Sequence, residues 1–382
     1  MDTQAATERH ATVVIGAGQS GLAASYHLTR RGIDHVVLDA NERIGDNWRT
    51  RYDSLRLYSP AKYDALPGMS MPVPGHAFPT GNQMGDYLEA YSKRNDLPVR
   101  TGIVVDGLAP MHPDAHGYTI TAGDRRYEAA QVVVATGPFR LPHVPDFATQ
   151  LDPSISQLHS ADYRDPSQLK DGAVLVVGVS HSGADLAIEA KAHGHRTFLS
   201  GKSHGQLPFS VDSRRGRIAW PVMKFVASNL LTLRTPLGRK MAPEVRKGGG
   251  PLLRVRRADL LKAGVEWSEA RTVGIRDGKP MLADGQVREV ATVIWCTGFR
   301  PDYGWIAMPI VGQDGWPMQD RGVATSATGL YFLGIPFLSG FTSMLVLGAG
   351  RDAAYVVSRI AERAAAENNF SSRLRPAPNP EA

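Results

Sequence analysis

Two stretches of the chain repeat one order of apolar and polar positions. In the first, the apolar run Thr12–Ile15 leads into Gly16-Ala17-Gly18-Gln19-Ser20-Gly21. Leu22–Arg31 follows with an apolar face at helical spacing until Gly32, and His35–Leu38 is a second apolar run ending in Asp39. In the second, Ala173–Val177 leads into Gly178-Val179-Ser180-His181-Ser182-Gly183. Ala184–His193 then has helical spacing closed by Gly194, and Arg196–Leu199 is the next run. Each stretch reads as strand, glycine turn, helix, strand. Two such βαβ units predict an α/β chain with two dinucleotide sites.

Two further runs, Val132-Val133-Val134-Ala135-Thr136-Gly137 and Val293-Ile294-Trp295-Cys296-Thr297-Gly298, are apolar strands that end in a Thr-Gly turn. The second of these is expected to return the chain to the first domain once the second unit is finished. The second unit is then an insertion, bounded near Asp165-Pro166 and Asp284-Gly285. The predicted division is 1–165 and 285–370 for the first domain and 166–284 for the second, with 371–382 as a disordered tail holding three prolines.

Gly329–Gly350 is 22 residues without a charge, long enough to span a bilayer. Glycines, Pro336 and hydroxyl side chains interrupt it, so a buried strand, a tight loop and a helix entry are expected instead. With 382 residues, 42% hydrophobic and 21% charged, the chain is large enough for two or three compact domains, and disorder or collagen-like repetition does not fit. The one cysteine, Cys296, excludes a CxxC redox relay and a thiolate zinc cluster. The lone thiol and a polar start without a signal-peptide core make the cytoplasm the expected location. The net charge of +6 is uneven, because Ser213–Arg257 sets twelve Lys/Arg against Glu244 alone.

The first glycine turn has the spacing of a pyrophosphate cradle, and Asp39 lies 18 residues after Gly21, near the distance at which a carboxylate reaches a ribose hydroxyl. In the second turn Ser180 replaces the glycine that lets the backbone approach a pyrophosphate. Gly178-Val179-Ser180 also begins like a hydrolase nucleophile elbow, but Ser182 stands where that motif needs its last glycine. Gly201-Lys202-Ser203 resembles the end of a P-loop, yet Arg196 occupies the place of its first glycine. Twelve histidines include no HExxH, and no metal site is expected.

In their order, GAGQSG, Gly45-Asp46-Asn47-Trp48-Arg49, Tyr52-Asp53-Ser54-Leu55-Arg56-Leu57, both Thr-Gly strand ends and GVSHSG resemble the flavin-containing monooxygenases, in a short bacterial branch akin to the plant YUCCA enzymes. The resemblance covers roughly residues 11–365. It implies an α/β fold of two Rossmann-like dinucleotide-binding domains, the NADPH domain inserted into the FAD domain. It also implies that NADPH reduces the flavin, that O2 adds at flavin C4a, and that one oxygen atom passes to a small nucleophilic (N or S) or carbonyl substrate. Carried over by position, Gly16, Gly18, Gln19, Ser20 and Gly21 meet the FAD pyrophosphate, Asp39 its ribose, and Asn47 and Trp48 its flavin side. Thr136-Gly137 and Thr297-Gly298 are close turns lining the cofactors, and Gly178, Ser180, His181, Ser182 and Gly183 receive NADPH. At the offset matching Asp39 the second unit has Gly201, flanked by Ser200 and Lys202, a hydroxyl and a cation suited to the 2′-phosphate of NADPH.

Two features depart from the family pattern. Its FxGxxxHxxxF fingerprint survives as His159 and Tyr163, with Pro153 and Ile155 in place of Phe and Gly. Tyr58 stands where an asparagine near the flavin is often found, and is the candidate catalytic hydrogen-bond donor. Tyr163 in place of a tryptophan favours N- or S-oxygenation over Baeyer–Villiger insertion. The rival readings are an NADPH-dependent flavin oxidase or reductase without oxygen transfer, and a nucleotide-binding redox sensor. Nucleic acid is not an expected partner. A membrane surface met through Ser213–Arg257 and a second copy of the chain stay open as partners.

Overall fold

The computed structural model describes residues 7–112 and 115–373. The first part of the chain runs β1 (Glu8–Ile15), α1 (Gln19–Thr29), β2 (His35–Leu38), α2 (Asp46–Arg49), α3 (Gly81–Arg94), β3 (Val99–Arg100), β4 (Gly107–His112), β5 (Ala115–Ala122), β6 (Arg125–Val134) and β7 (Leu141–Pro142). The second part holds β8 (Ser156–His159), β9 (Val174–Val177), α4 (His181–Ala192), β10 (Thr197–Ser200), α5 (Arg214–Phe225), α6 (Pro236–Arg246), α7 (Arg257–Ala263), β11 (Glu266–Ser268), β12 (Thr272–Arg276), β13 (Lys279–Leu282) and β14 (Thr292–Trp295). The chain closes with β15 (Phe299–Arg300), β16 (Gln319–Asp320), β17 (Val323–Ala324), β18 (Leu330–Phe332) and α8 (Val346–Arg373).

Both expected βαβ units form. Thr12–Ile15 and all of β2 are buried, as strands covered on both faces must be, and they pair in parallel with Ile15 beside Leu38. β9 and β10 repeat this with Val177 beside Ser200. The first sheet runs β16-β17-β18-β6-β1-β2-β3, and the second, wholly parallel, runs β11-β10-β9-β14-β8. Alternation along the second sheet is strict. Val174, Val176 and Ile294 pack with α4, while Leu175, Val177, Val293 and Trp295 face the opposite core. Strands on both sides of the second unit belong to the first sheet, so the fold is two Rossmann-like domains with one inserted into the other.

The bounds of the insertion differ from expectation. β14, the second Thr-Gly strand, does not return to the first sheet but lies between β9 and β8, with Ile294 beside Val176 and Leu158. The second domain therefore begins ahead of Asp165-Pro166 and continues past Asp284-Gly285. Each glycine turn needs its own neighbouring strand end to close against: β6 serves β1, and β14 serves β9. The crossings between domains are β7 and β15, paired antiparallel with Phe299 beside Pro142.

Gly329–Gly350 folds as expected, with β18 fully buried, a loop, and the entry to α8. No helix among the described residues is long and apolar enough to cross a membrane. α8 continues to Arg373, past the expected start of the tail at Ser371, and 374–382 lie outside the described residues. The segment from α5 to α6 rests on the first domain. Trp220 packs on Tyr63 with ring centroids 5.6 Å apart, Leu233 N donates to Ser339 O at 3.0 Å, and Phe341 N donates to Leu231 O at 2.8 Å.

Candidate functional site

The two glycine turns are built alike. Gly16 (φ +105°) and Gly178 (φ +110°) adopt a backbone that disfavours a side chain. A Cβ on Gly16 would stand 2.6 Å from the Ala135 carbonyl oxygen, and one on Gly178 would overlap the carbonyl of Cys296. Gly21 and Gly183 each lie on the carbonyl of the glycine that opens their own turn, where a Cβ would overlap it. Both helices thus start against a strand end, and neither α1 nor α4 has a side-chain cap or an acid in its first turn. Their leading amides and positive dipole ends are left for an anion. The turns Thr136-Gly137 and Thr297-Gly298 close the same two edges, and a Cβ on either glycine would meet nothing within 4 Å.

Around the first turn the predicted residues converge. Asp39 Oδ2 accepts from Ala17 N at 2.5 Å, and Oδ1 accepts from Asn41 N and Nδ2 at 2.9 and 2.8 Å. The carboxylate therefore holds the turn in shape and keeps one acceptor site spare. A Cβ on Gly18 would meet only Asn47 Nδ2, at 3.7 Å, so the space above Gly18 is open. Trp48 Nε1 is buried without a partner, a donor that a bound group would satisfy. Gln19 opens α1, Ser20 is buried, and Gly334 (φ +73°), absent from the motif reading, brings the loop after β18 to Ser20.

The second turn is partly covered. Ser180 Oγ accepts from Gly250 N at 3.1 Å and donates to Gly250 O at 3.3 Å, so the Gly248-Gly249-Gly250 loop sits on the residue that replaces glycine. His181 is half-buried, its Nε2 buried and unpartnered and its ring 4.7 Å from Tyr58, and desolvation holds its pKa below the ordinary imidazole value. Ser182 hydrogen-bonds Tyr52. Of the pair flanking Gly201, only Lys202 is exposed. Ser200 is turned inward, where its hydroxyl meets Thr272 Oγ1 at 2.7 Å and accepts from Thr272 N at 3.1 Å. As the last residue of β10 it points into the sheet core, so the expected contact with a 2′-phosphate is corrected.

Tyr58, the candidate donor, is committed elsewhere. Its hydroxyl donates to Asp185 Oδ2 at 2.7 Å, the same oxygen that Arg254 Nη2 reaches at 2.7 Å and Tyr52 OH at 3.4 Å. Burial above all, with Tyr52 and Asp185 alongside, pushes the Tyr58 phenol well above its usual value. The expectation of a free phenol near a flavin is replaced by a junction. Asp185 on α4 joins the 52–58 segment of the first domain to the arm that carries Arg254, contacts between residues far apart in sequence. His159 and Tyr163 are also structural. Ala161 N donates to His159 Nδ1 at 3.1 Å, so Nε2 carries the proton and donates to Gly298 O at 3.0 Å, fixing the Thr297-Gly298 turn. Tyr163 is fully buried, its hydroxyl on Glu189 Oε2 at 3.0 Å.

Residues 13–213 match the family model for pyridine nucleotide-disulphide oxidoreductases. An oxidoreductase of CzcO-like type from Geobacillus kaustophilus (strain HTA426) is 36% identical, over 91% of this chain and 97% of that protein. Indole-3-pyruvate monooxygenase YUCCA1 of Oryza sativa subsp. japonica is 28% identical, over 94% of this chain and 95% of its own. Among solved structures, a flavin-containing monooxygenase from Stenotrophomonas maltophilia superposes with a TM-score of 0.73 at 27% identity, covering 94% of this chain and all of that one.

One buried group had no motif to announce it. Asp64 is 1% exposed, Ser59 Oγ donates to its Oδ1 at 2.6 Å, and its Oδ2 has no partner. Burial raises its pKa from 3.8 to about 7. An acid whose folded pKa is raised holds its proton in the native state while the unfolded chain has lost it, so stability falls as pH rises from about 4 to about 7. Asp64→Asn should remove that slope. The variant is expected to be more stable than wild type at pH 8, by on the order of a few kcal/mol, with the gap closing toward pH 4. Urea unfolding at both pH values measures it.

Proposed function

The chain belongs to the pyridine nucleotide-disulphide oxidoreductase family as a flavin-dependent monooxygenase using FAD and NADPH, and on that premise we propose that its two turns divide the labour of one oxygenation. FAD, when bound, supplies the oxygen-activating chemistry and NADPH the hydride. Gly16, Gly18, Gln19, Ser20 and Gly21 hold the FAD pyrophosphate against the start of α1, and the spare acceptor site of Asp39 takes a ribose hydroxyl. Asn47 and Trp48 lie toward the flavin, where the unpartnered indole N–H finds its acceptor. The start of α4 from Gly178 to Gly183 receives NADPH, with Lys202 at the 2′-phosphate edge. Thr136-Gly137 and Thr297-Gly298 line the cofactors from the neighbouring strands. The partners are O2 and a small molecule offering a nucleophilic N or S, ahead of a carbonyl.

The observation that carries oxygen transfer over thiol chemistry is the single cysteine. Cys296 has no second thiol to pair with, and burial pushes its own up to about 12, so it holds no thiolate at neutral pH. Its position against Gly183 makes it a packing residue of the second turn. The test is a panel of amines, thioethers and ketones scored for a mass gain of one oxygen, with NADPH consumption and peroxide release followed together. NADPH consumed wholly as peroxide for every substrate would leave an oxidase. No flavin reduction by NADPH would leave a sensor.

The first turn makes a sharp prediction. Gly18 has an extended backbone (φ −71°, ψ −176°) and open space above it, so Gly18→Val should fold yet purify without FAD. Gly21→Val should fail to fold, because its side chain overlaps the Gly16 carbonyl. Flavin absorbance per protein and circular dichroism separate the two outcomes.

Coenzyme choice gives another. A charge-assisted bond from Lys202 to a 2′-phosphate contributes about 1.5–3 kcal/mol, so Lys202→Ala should weaken NADPH by roughly ten- to a hundredfold and leave NADH nearly unchanged. Ser200→Ala should lower the melting temperature without altering that preference. Titrations of both nucleotides against both variants measure this, and equal loss of NADPH and NADH on Lys202→Ala would place the phosphate elsewhere.

A further inference from the structure

The basic stretch from Ser213 to Arg257 divides into two halves once its ion pairs are traced. Every Lys and Arg from 246 to 257 meets an acid: Arg246 with Asp314, Lys247 with Glu244, Arg254 with Asp185, Arg256 with Asp259 and Arg257 with Glu269, at 2.5 to 3.4 Å. Among the described residues, none of Arg214, Arg215, Arg217, Arg234 and Lys240 has an acidic partner, and no Asp or Glu occurs from 213 to 243. The positive charge left unneutralised is therefore concentrated on α5, the segment that follows it and the first half of α6.

The same stretch carries an apolar crest. Ile218, Val222 and Phe225 are 72%, 66% and 58% exposed, and their spacing of four and three residues puts them on one face of α5. Leu230 and Leu237 continue the exposed apolar surface beyond the helix. The opposite side of α5 is anchored, with Gly216 buried and Trp220 stacked on Tyr63. Arg351 Nη1 donates to Ser228 O at 3.3 Å just beyond it. The crest is thus held outward by a docked helix. At its N-terminal end Arg214, Arg215 and Arg256 line an open cleft of about 320 Å³.

We propose that α5 and the start of α6 form a docking surface for an anionic lipid bilayer, with Ile218, Val222 and Phe225 seated at the acyl boundary and Arg214, Arg215, Arg217, Arg234 and Lys240 among the headgroup phosphates. Charge complementarity selects this occupant. A run without a single acid, ringed around aliphatic side chains, matches a laterally continuous negative surface, whereas a protein partner of mixed charge would leave cations unanswered. The surface lies outside both glycine turns, so its test stands apart from the reading of the reaction.

The experiment is flotation of the full-length, flavin-loaded protein with phosphatidylcholine vesicles, with and without added phosphatidylglycerol, at low and high salt. Co-flotation is expected only with phosphatidylglycerol and should be lost at high salt. Ile218→Ser/Val222→Ser and Arg214→Gln/Arg215→Gln/Arg217→Gln should each reduce it about tenfold or more while flavin content and circular dichroism stay unchanged. The proposal is overturned by no flotation, by equal flotation on both lipids, or by binding that the charge variant weakens and the apolar variant does not. It is also overturned if cross-linking pairs α5 with α5 of a second copy and Ile218→Ser/Val222→Ser dissolves that dimer.

Discussion

A Cβ at Gly21 would overlap the carbonyl of Gly16, and a Cβ at Gly183 would overlap the carbonyl of Gly178. These two contacts set how closely a helix can begin on the end of a parallel strand, and the rest of the molecule follows from that closeness. With the helix drawn in, its first amides lie at the strand's carboxyl edge, uncapped and pointed where an anion can reach them. The same closeness requires a third element behind the turn, because the opening glycine faces a carbonyl of the next strand end, Ala135 in one domain and Cys296 in the other. The Thr-Gly strands are part of the cradles, and each domain must own one.

That requirement explains where the sequence was legible and where it was not. The βαβ units, the open position at Gly18, the Asp39 carboxylate and the buried fate of Gly329–Gly350 all rest on short-range patterns, periodicity and residue spacing. The edge of the inserted domain does not. Val293–Trp295 looks like a second copy of Val132–Val134, and likeness alone does not say which sheet it joins; pairing with β9 and β8 does. The same limit holds for side chains. Tyr58 and Asp185, Ser200 and Thr272, and Ser180 and Gly250 lie 127, 72 and 70 residues apart, and nothing local to either partner marks the contact. Asp64 lacked even a motif, since its raised pKa comes from burial.

The two cradles are alike in frame and unlike in finish. Above Gly18 there is open space bounded by Asn47, while Ser180 is engaged with Gly250 on both its donor and acceptor sides. Asp39 braces the first turn with its carboxylate, whereas the matching position of the second unit has Gly201 and the exposed Lys202. The first turn is thereby open and braced, and the second is covered by the Gly248–Gly250 loop.

The cover and the first domain meet at Asp185. One carboxylate oxygen takes Tyr58 and Arg254 at 2.7 Å each, with Tyr52 at 3.4 Å, in a site where the Asp185 and Arg254 side chains are only 10% and 15% exposed. A buried ion pair contributes little net stability over an apolar contact, because desolvation offsets most of the attraction, yet removing one partner leaves an unpaired charge inside. Its worth lies in geometry. The 52–58 segment, α4 and the chain leading from Gly250 to Arg254 are tied together at this one oxygen. Tyr58 stacks on His181 in the same cluster, so that junction also sets the imidazole at the mouth of the second turn. The cover therefore reaches the first domain along one line of contacts, from Gly250 on Ser180 to Arg254 on Asp185 and from there to Tyr58.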